Sequence, residues 1–190
     1  MDKLNTKASV GAAMSAGAGA AEKGGIKGDY HLECTDGNGV VIWEENIHNV
    51  VPTGGQNALL NQGIVSGYTT LVGPYMFLIS STSFTAVSAT DTMASHSGWL
   101  ECAGTVTPNY GTVRPTMTLA AAAGGSVATS ALSFAFTNSG TVQGIGAVFG
   151  SGATVTAGST AGTLLSAGTL TTPQPVINGN TINATWTLTL

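Results

Sequence analysis

The chain has 190 residues, with 9 acidic and 5 basic side chains and a formal net charge of -4. Charged residues make up 7% of it, against about 25% in ordinary globular proteins, and so few cations argue against a nucleic-acid binder, which must neutralise phosphates. The most apolar run, "LVGPYMFLI", falls far short of the ~20 residues that a membrane-spanning helix needs.

The charges are also unevenly placed. Arg114 is the last of them, and residues 115–190 contain no Asp, Glu, Lys or Arg. A monomer normally keeps surface charge against association. Two readings fit: a Ser-, Thr-, Asn- and Gly-rich surface that meets other subunits, or a soluble Thr-rich β-domain.

Taken in chain order, residues 1–25 are rich in Ala and Gly and hold Lys3, Lys7 and Lys23. Lysines ahead of an Ala-rich stretch suggest a signal peptide, but Gly and Ser break the stretch and no apolar run can serve as its core. The segment offers too little apolar surface to offset its own ordering entropy. It is expected to be a flexible arm on a protein made in the cytoplasm, followed by a single β-domain over 26–190. Together with Lys27 its lysines are four of the five basic residues. They are the candidate interface residues, suited to an acidic partner surface.

In "DYHLECTDGNGVVIWEEN", Tyr30, Leu32 and Cys34 alternate with His31, Glu33 and Thr35, and "DGNG" at 36–39 supplies turn residues. This predicts a hairpin. "TGGQNALLNQGI" (53–64) predicts the single helix, with Thr53 as its cap, Ala58, Leu59 and Leu60 as its apolar face and Gly63 as its stop. "GPYMFLISS" is apolar on both parities, as suits a strand covered on both faces. Beyond residue 98 the chain reads as strands throughout. Leu132, Phe134 and Phe136 share one face. Ile182, Ala184, Trp186, Leu188 and Leu190 alternate with threonines and Asn183 over the last ten residues. Glycines at 124–125 and 144–152, and "NGN" at 178–180, are expected to punctuate these strands. The fold class is all-β: an antiparallel sandwich or jelly-roll-like barrel of seven to nine strands with one short helix.

"ATDTMASHSGWLEC" (89–102) gathers Asp91, Ser95, His96, Ser97, Glu101 and Cys102. Adjacency in sequence is no sign of a catalytic triad, there is no G-x-S-x-G, and nothing points to an activated thiol. The stretch reads as a loop whose polar side chains satisfy backbone donors, with Trp99 anchoring the following strand. His31, His48 and His96 have no partner at metal-ligand spacing, and "TDGNG" lacks the rest of a calcium loop. Glu44 and Glu45 are strand neighbours facing opposite sides and make no hydrolytic pair. No catalytic, cofactor or metal residue is expected.

Several stretches nevertheless share one likeness. "GDYHLECTDGNGVVIWEENIHNVVPTGGQNALLNQ", D-T-M-A-S-H-x-G-W-x-E at 91–101, "VRPTMTL" at 113–119, "AGTLLSAG" at 161–168 and the closing "GNTINATWTLTL" resemble, in order, a group of tailed-bacteriophage structural proteins. The likeness runs from about residue 27 to 190 and omits the arm. It implies a virion component made in the host cytoplasm. Size, β character and adhesive composition narrow this to a capsid decoration (cement) protein whose partners are the major capsid protein and other copies of itself, with a trimer as the usual arrangement at three-fold sites. Two rivals stand beside it. One is a tail, neck or fibre-associated virion protein. The other is a carbohydrate-binding β-sandwich using Trp43, Trp99 or Trp186, of which Trp186 has the parity of a core residue.

Overall fold

The computed structural model describes residues 26–65 and 72–190. The arm, with Lys3, Lys7 and Lys23, lies outside the described residues. The described elements are β1 (Lys27–Thr35), β2 (Val41–Asn49), α1 (Thr53–Ile64), β3 (Tyr75–Ser80), β4 (Leu100–Glu101), β5 (Ser126–Ala128), β6 (Leu132–Ala135), β7 (Gly140–Phe149), β8 (Thr163–Val176) and β9 (Thr181–Thr189).

Two antiparallel sheets face each other. One has the order β2-β1-β9-β5, with β6 also pairing β9 at its far end; the other has the order β4-β3-β7-β8. The β1–β2 hairpin forms where the alternation predicts it. Asp36 Oδ1 accepts the N–H groups of Asn38 and Val40 at 2.8 and 2.9 Å, which closes the "DGNG" turn. Gly39 there has φ 81°, the left-handed region that glycine adopts without strain. Register then places Tyr30 opposite Trp186, Leu32 opposite Ala184 and Cys34 opposite Ile182. All six of these side chains are buried. They meet Met76–Ile79 of β3, Val142–Phe149 of β7 and Leu164–Leu170 of β8 in one core. Along one side the sheets nearly close on each other. The Trp43 indole N–H donates to Pro175 O at 3.2 Å, Glu45 Oε1 accepts the Thr171 N–H at 2.6 Å, and Val50 bridges Ala167.

Several local expectations need correction. The run beyond residue 98 is not strand throughout: from 102 to 125 the chain wraps the sandwich as loop, touching it through isolated bridges such as Tyr75 to Thr116 and Val113 to Thr156. Pro108 and Pro115 cannot donate to a ladder, and Gly104 and Gly111 turn the chain at φ 61° and 113°. Gly144 and Gly146 do not punctuate strands; they lie inside β7. A Cβ at Gly146 would run into the Phe77 ring, so this glycine is the gap that admits an aromatic side chain.

The helix spans the predicted residues but is held differently. Pro52 occupies the cap position and no side chain caps the helix, so Thr53 is its first helical residue. The Gln56 side chain instead reaches back to donate to Val51 O at 2.8 Å. Gly55 and Ala58 are the buried positions, whereas Leu60 is 53% exposed. A Cβ on Gly55 would stand 2.6 Å from Leu165 O, so the helix lies against β8 by virtue of having no side chain there. Gly63 does not stop it; the helix runs on through Ile64, and the Val65 N–H donates to Asn61 O at 3.1 Å.

Candidate functional site

The polar cluster at 89–102 folds into a corner with its side chains turned on one another. Asp91 Oδ2 accepts the Trp99 indole N–H and the Ser88 N–H, both at 2.9 Å. His96 Nδ1 donates to Trp99 O at 3.1 Å, which fixes its tautomer, and the ring stacks on Trp99 with centroids 3.6 Å apart. Asp91 and His96 are therefore each engaged with Trp99, and neither is hydrogen-bonded to Ser95 or Ser97. Trp99 in turn stacks on Phe77 at 5.4 Å, and the Arg114 guanidinium carbon lies 5.4 Å from the other ring's centroid. His96, Trp99, Phe77 and Arg114 thus form one column of flat groups running from the half-exposed surface into the interior.

At its inner end Arg114 meets Glu101, and both are buried, at 1% and 8% exposed. Arg114 Nη2 donates to Glu101 Oε2 at 2.6 Å and Nε to Oε1 at 3.0 Å, a two-pronged pairing that suits the planar guanidinium. Glu101 also accepts the Tyr110 hydroxyl on Oε1 and the Gly158 N–H on Oε2, the latter at 2.8 Å. Arg114 places its other protons on Ser159 O at 2.6 Å and Thr154 O at 3.3 Å. Two buried charges survive because every lone pair and most donors are matched. The cluster pins the loop at 154–159 to the loop at 110–114 and to β4, three segments that no ladder joins continuously.

Nearby groups are held in neutral forms. Burial, with the Glu101 charge adding to it, raises the Tyr110 hydroxyl and the Cys102 thiol well above their ordinary values. Burial alone pushes the Cys34 thiol up to about 11. Neither cysteine is in a disulfide and both are buried. Thiols so placed are poor sources of thiolate at neutral pH.

The exposed charges collect elsewhere. Lys27, Asp29, Glu33 and Glu44 lie on the outer face of β1 and β2, alternate in parity to the buried residues, and Asp36 stands in the turn beside them. His48 pairs with Asp29, and His31 Nδ1 donates to Asn46 Oδ1 at 3.1 Å. Glu33 and Glu44 stand directly opposite each other. The neighbouring strand continues the face with Asn183, Thr185 and Thr187 and carries no charge. Among the described residues no three His, Cys, Asp or Glu side chains are grouped so as to hold a metal ion. No described helix is long and apolar enough to cross a membrane.

Of the expected interface residues, only Lys27 is described, exposed at the start of β1 opposite Thr189. Of the three tryptophans, Trp99 and Trp186 are buried. Trp43 is half-buried with its N–H engaged. The Glu101–Arg114 pair is the feature that sequence reasoning misses. Its one signal is that these are the last two charges of the chain, standing alone in uncharged surroundings. Charges so isolated are the ones that need each other. No protein-family model, no curated protein and no solved structure matches this chain.

Proposed function

We propose that the protein is a structural component of a tailed-phage virion, acting as a decoration protein that binds the assembled head and stabilises it by bridging capsid subunits. The observation that carries a surface-packing role is the distribution of charge. Apart from the β1–β2 hairpin and the half-exposed Asp91 and His96, the described surface is built mostly of Thr, Ser, Asn, Gly and scattered apolar side chains. Such a surface abuts neighbours without desolvating ions. The phage reading itself rests on the colinear motifs. Their most specific residues, Asp91, His96, Trp99, Glu101 and Arg114, all serve the stacked corner and its buried pair, as expected of motifs that maintain a scaffold.

A protein that binds the assembled lattice and not free subunits raises shell stability by mass action. Lys3, Lys7 and Lys23 of the arm, with Lys27 at the start of β1, would supply attraction to an acidic capsid surface. The partners of this reading are the major capsid protein and further copies of the chain. The test is reconstitution. Purified protein is added separately to heads and to tails from particles that lack it, and binding is read by co-sedimentation and head survival by heating. Binding to heads with a raised disruption temperature is expected, and deletion of residues 2–25 is expected to weaken it. Binding to tails alone would transfer the protein to the tail, and binding to neither would remove the virion reading.

A further inference from the structure

Between α1 and the end of the sheet formed by β1, β9 and β5 lies an apolar groove of about 350 Å³, lined by Ile26, Leu59, Leu60, Ile64, Val127 and Leu190 among others, none of them charged. Leu60 is 53%, Ile64 77% and Leu190 80% exposed. A volume at the lower end of the ~300–1,000 Å³ usual for binding pockets has room for one or two aliphatic side chains. It does not have the reach of a subunit interface, which buries roughly 800 Å² on each partner.

The chain itself indicates the occupant. Ile26, a lining residue, is where residues 1–25 join the body, so that segment leaves from the rim of the groove. Its side chains larger than alanine and apolar are Met1, Leu4, Val10 and Met14. Met14 is the nearest of these to the rim. The twelve steps from Met14 to Ile26 span up to about 40 Å when extended, at ~3.3–3.6 Å per residue. Gly24 and Gly25 stand immediately before Ile26 and permit the reversal that a return requires. Methionine is unbranched and adapts to irregular gaps. A short tether also holds its concentration at the groove in the millimolar range. The small residues around Met14 leave room for the backbone to follow.

We propose that Met14 seats in this groove on its own subunit, making the arm a tethered strap and not a free tail. The sequence of the arm alone cannot supply this contact, because the apolar partner is assembled from residues far apart in the chain. The inference stands on the groove and does not depend on the decoration reading.

Cysteine pairing in the full-length protein tests it. Cys34 and Cys102 are buried, which leaves introduced thiols to react. Met14→Cys/Ile64→Cys is compared with Met14→Cys/Ile177→Cys, since Ile177 is 59% exposed at the opposite end of β9. That end is roughly 30 Å away at ~3.3 Å per strand residue, within reach of an unanchored arm. The groove pair is expected to oxidise at least tenfold faster, within one chain. Equal rates, or groove disulfides that join two chains only, would overturn the proposal. As a check free of introduced thiols, deleting residues 2–25 is expected to speed amide exchange at residues 58–64 about tenfold. Unchanged exchange there would mean that the arm does not cover the groove. Loss of head binding with the disulfide result intact would count against decoration alone.

Discussion

Replacing Arg114 by Met is the most searching test of the buried corner. The substitution keeps much of the side chain's length over Phe77 but leaves the Glu101 carboxylate with only the Tyr110 hydroxyl and the Gly158 N–H. It also strips Ser159 O and Thr154 O of their donor. Removing one partner of a buried, hydrogen-bonded pair costs about 3–5 kcal/mol. At roughly 2–4 °C per kcal/mol for a domain of this size, the midpoint should fall by about 6–20 °C. Glu101→Leu, which strands the guanidinium instead, should cost a similar amount. The double variant replaces both charges by apolar groups and should cost far less than the sum, with a coupling of at least ~2 kcal/mol. Urea unfolding of the four proteins of the cycle measures this, provided the denaturant slope stays constant. If either single variant loses less than ~1 kcal/mol, or if the costs simply add, the pair is not the clamp described above.

Three further outcomes follow from the packing. Gly146→Ala should destabilise by about 1–3 kcal/mol in the same assay, because its methyl must displace the Phe77 ring at the centre of the stack. Trp99→Phe should cost about 1–3 kcal/mol more than Trp186→Phe, although both indoles are buried. The first loses a hydrogen bond to Asp91, whereas the Trp186 indole N–H has no partner to lose; equal costs would contradict this assignment. The thiols give a pH dependence on the alkaline side. The Cys34 pKa is raised on folding to about 11. Its contribution is therefore complete below the unfolded value of ~8.5 and is lost as pH climbs towards about 11. Titrating unfolding free energy from pH 8 to 11 should show a decline that Cys34→Ser reduces. A flat profile in the parent protein would refute the assigned burial.

The sequence made some of this architecture legible and hid the rest for identifiable reasons. Alternation at Tyr30, Leu32 and Cys34, and again from Ile182 to Leu188, reports a strand with one face in a core, because each residue's exposure is set by parity alone. Both strands appear where they are expected. The helix also lies where its residues indicate, yet its buried face is Gly55 and Ala58 and not the leucines. Which face turns inward was decided by how closely β8 approaches, and that distance is a tertiary quantity. Residues 102–125 are rich in strand-forming Thr and Val but become loop, since Pro108, Pro115 and the positive-φ glycines Gly104, Gly111, Gly124 and Gly125 outweigh propensity. The Glu101–Arg114 pair and the Ile26–Ile64–Leu190 groove were invisible for a common reason: each joins positions whose separation in sequence carries no periodic signal.

The one-sided charge of the body has a consequence for how copies of it pack. Two molecules that approach through the uncharged parts of the body meet little Coulomb penalty. Approaching through the β1–β2 faces brings together two net acidic surfaces, in which Asp29, Glu33 and Glu44 outnumber Lys27, a repulsion screened only beyond the ~8 Å Debye length of physiological salt. In the proposed decoration layer, this charge distribution would favour one sense, with the uncharged sides together and the hairpins all turned the same way. Salt should leave contacts between uncharged flanks untouched and alter those made by the hairpin side and by the lysines of the arm. Ionic strength thus becomes a probe of orientation, reporting which side of the molecule a given partner has met.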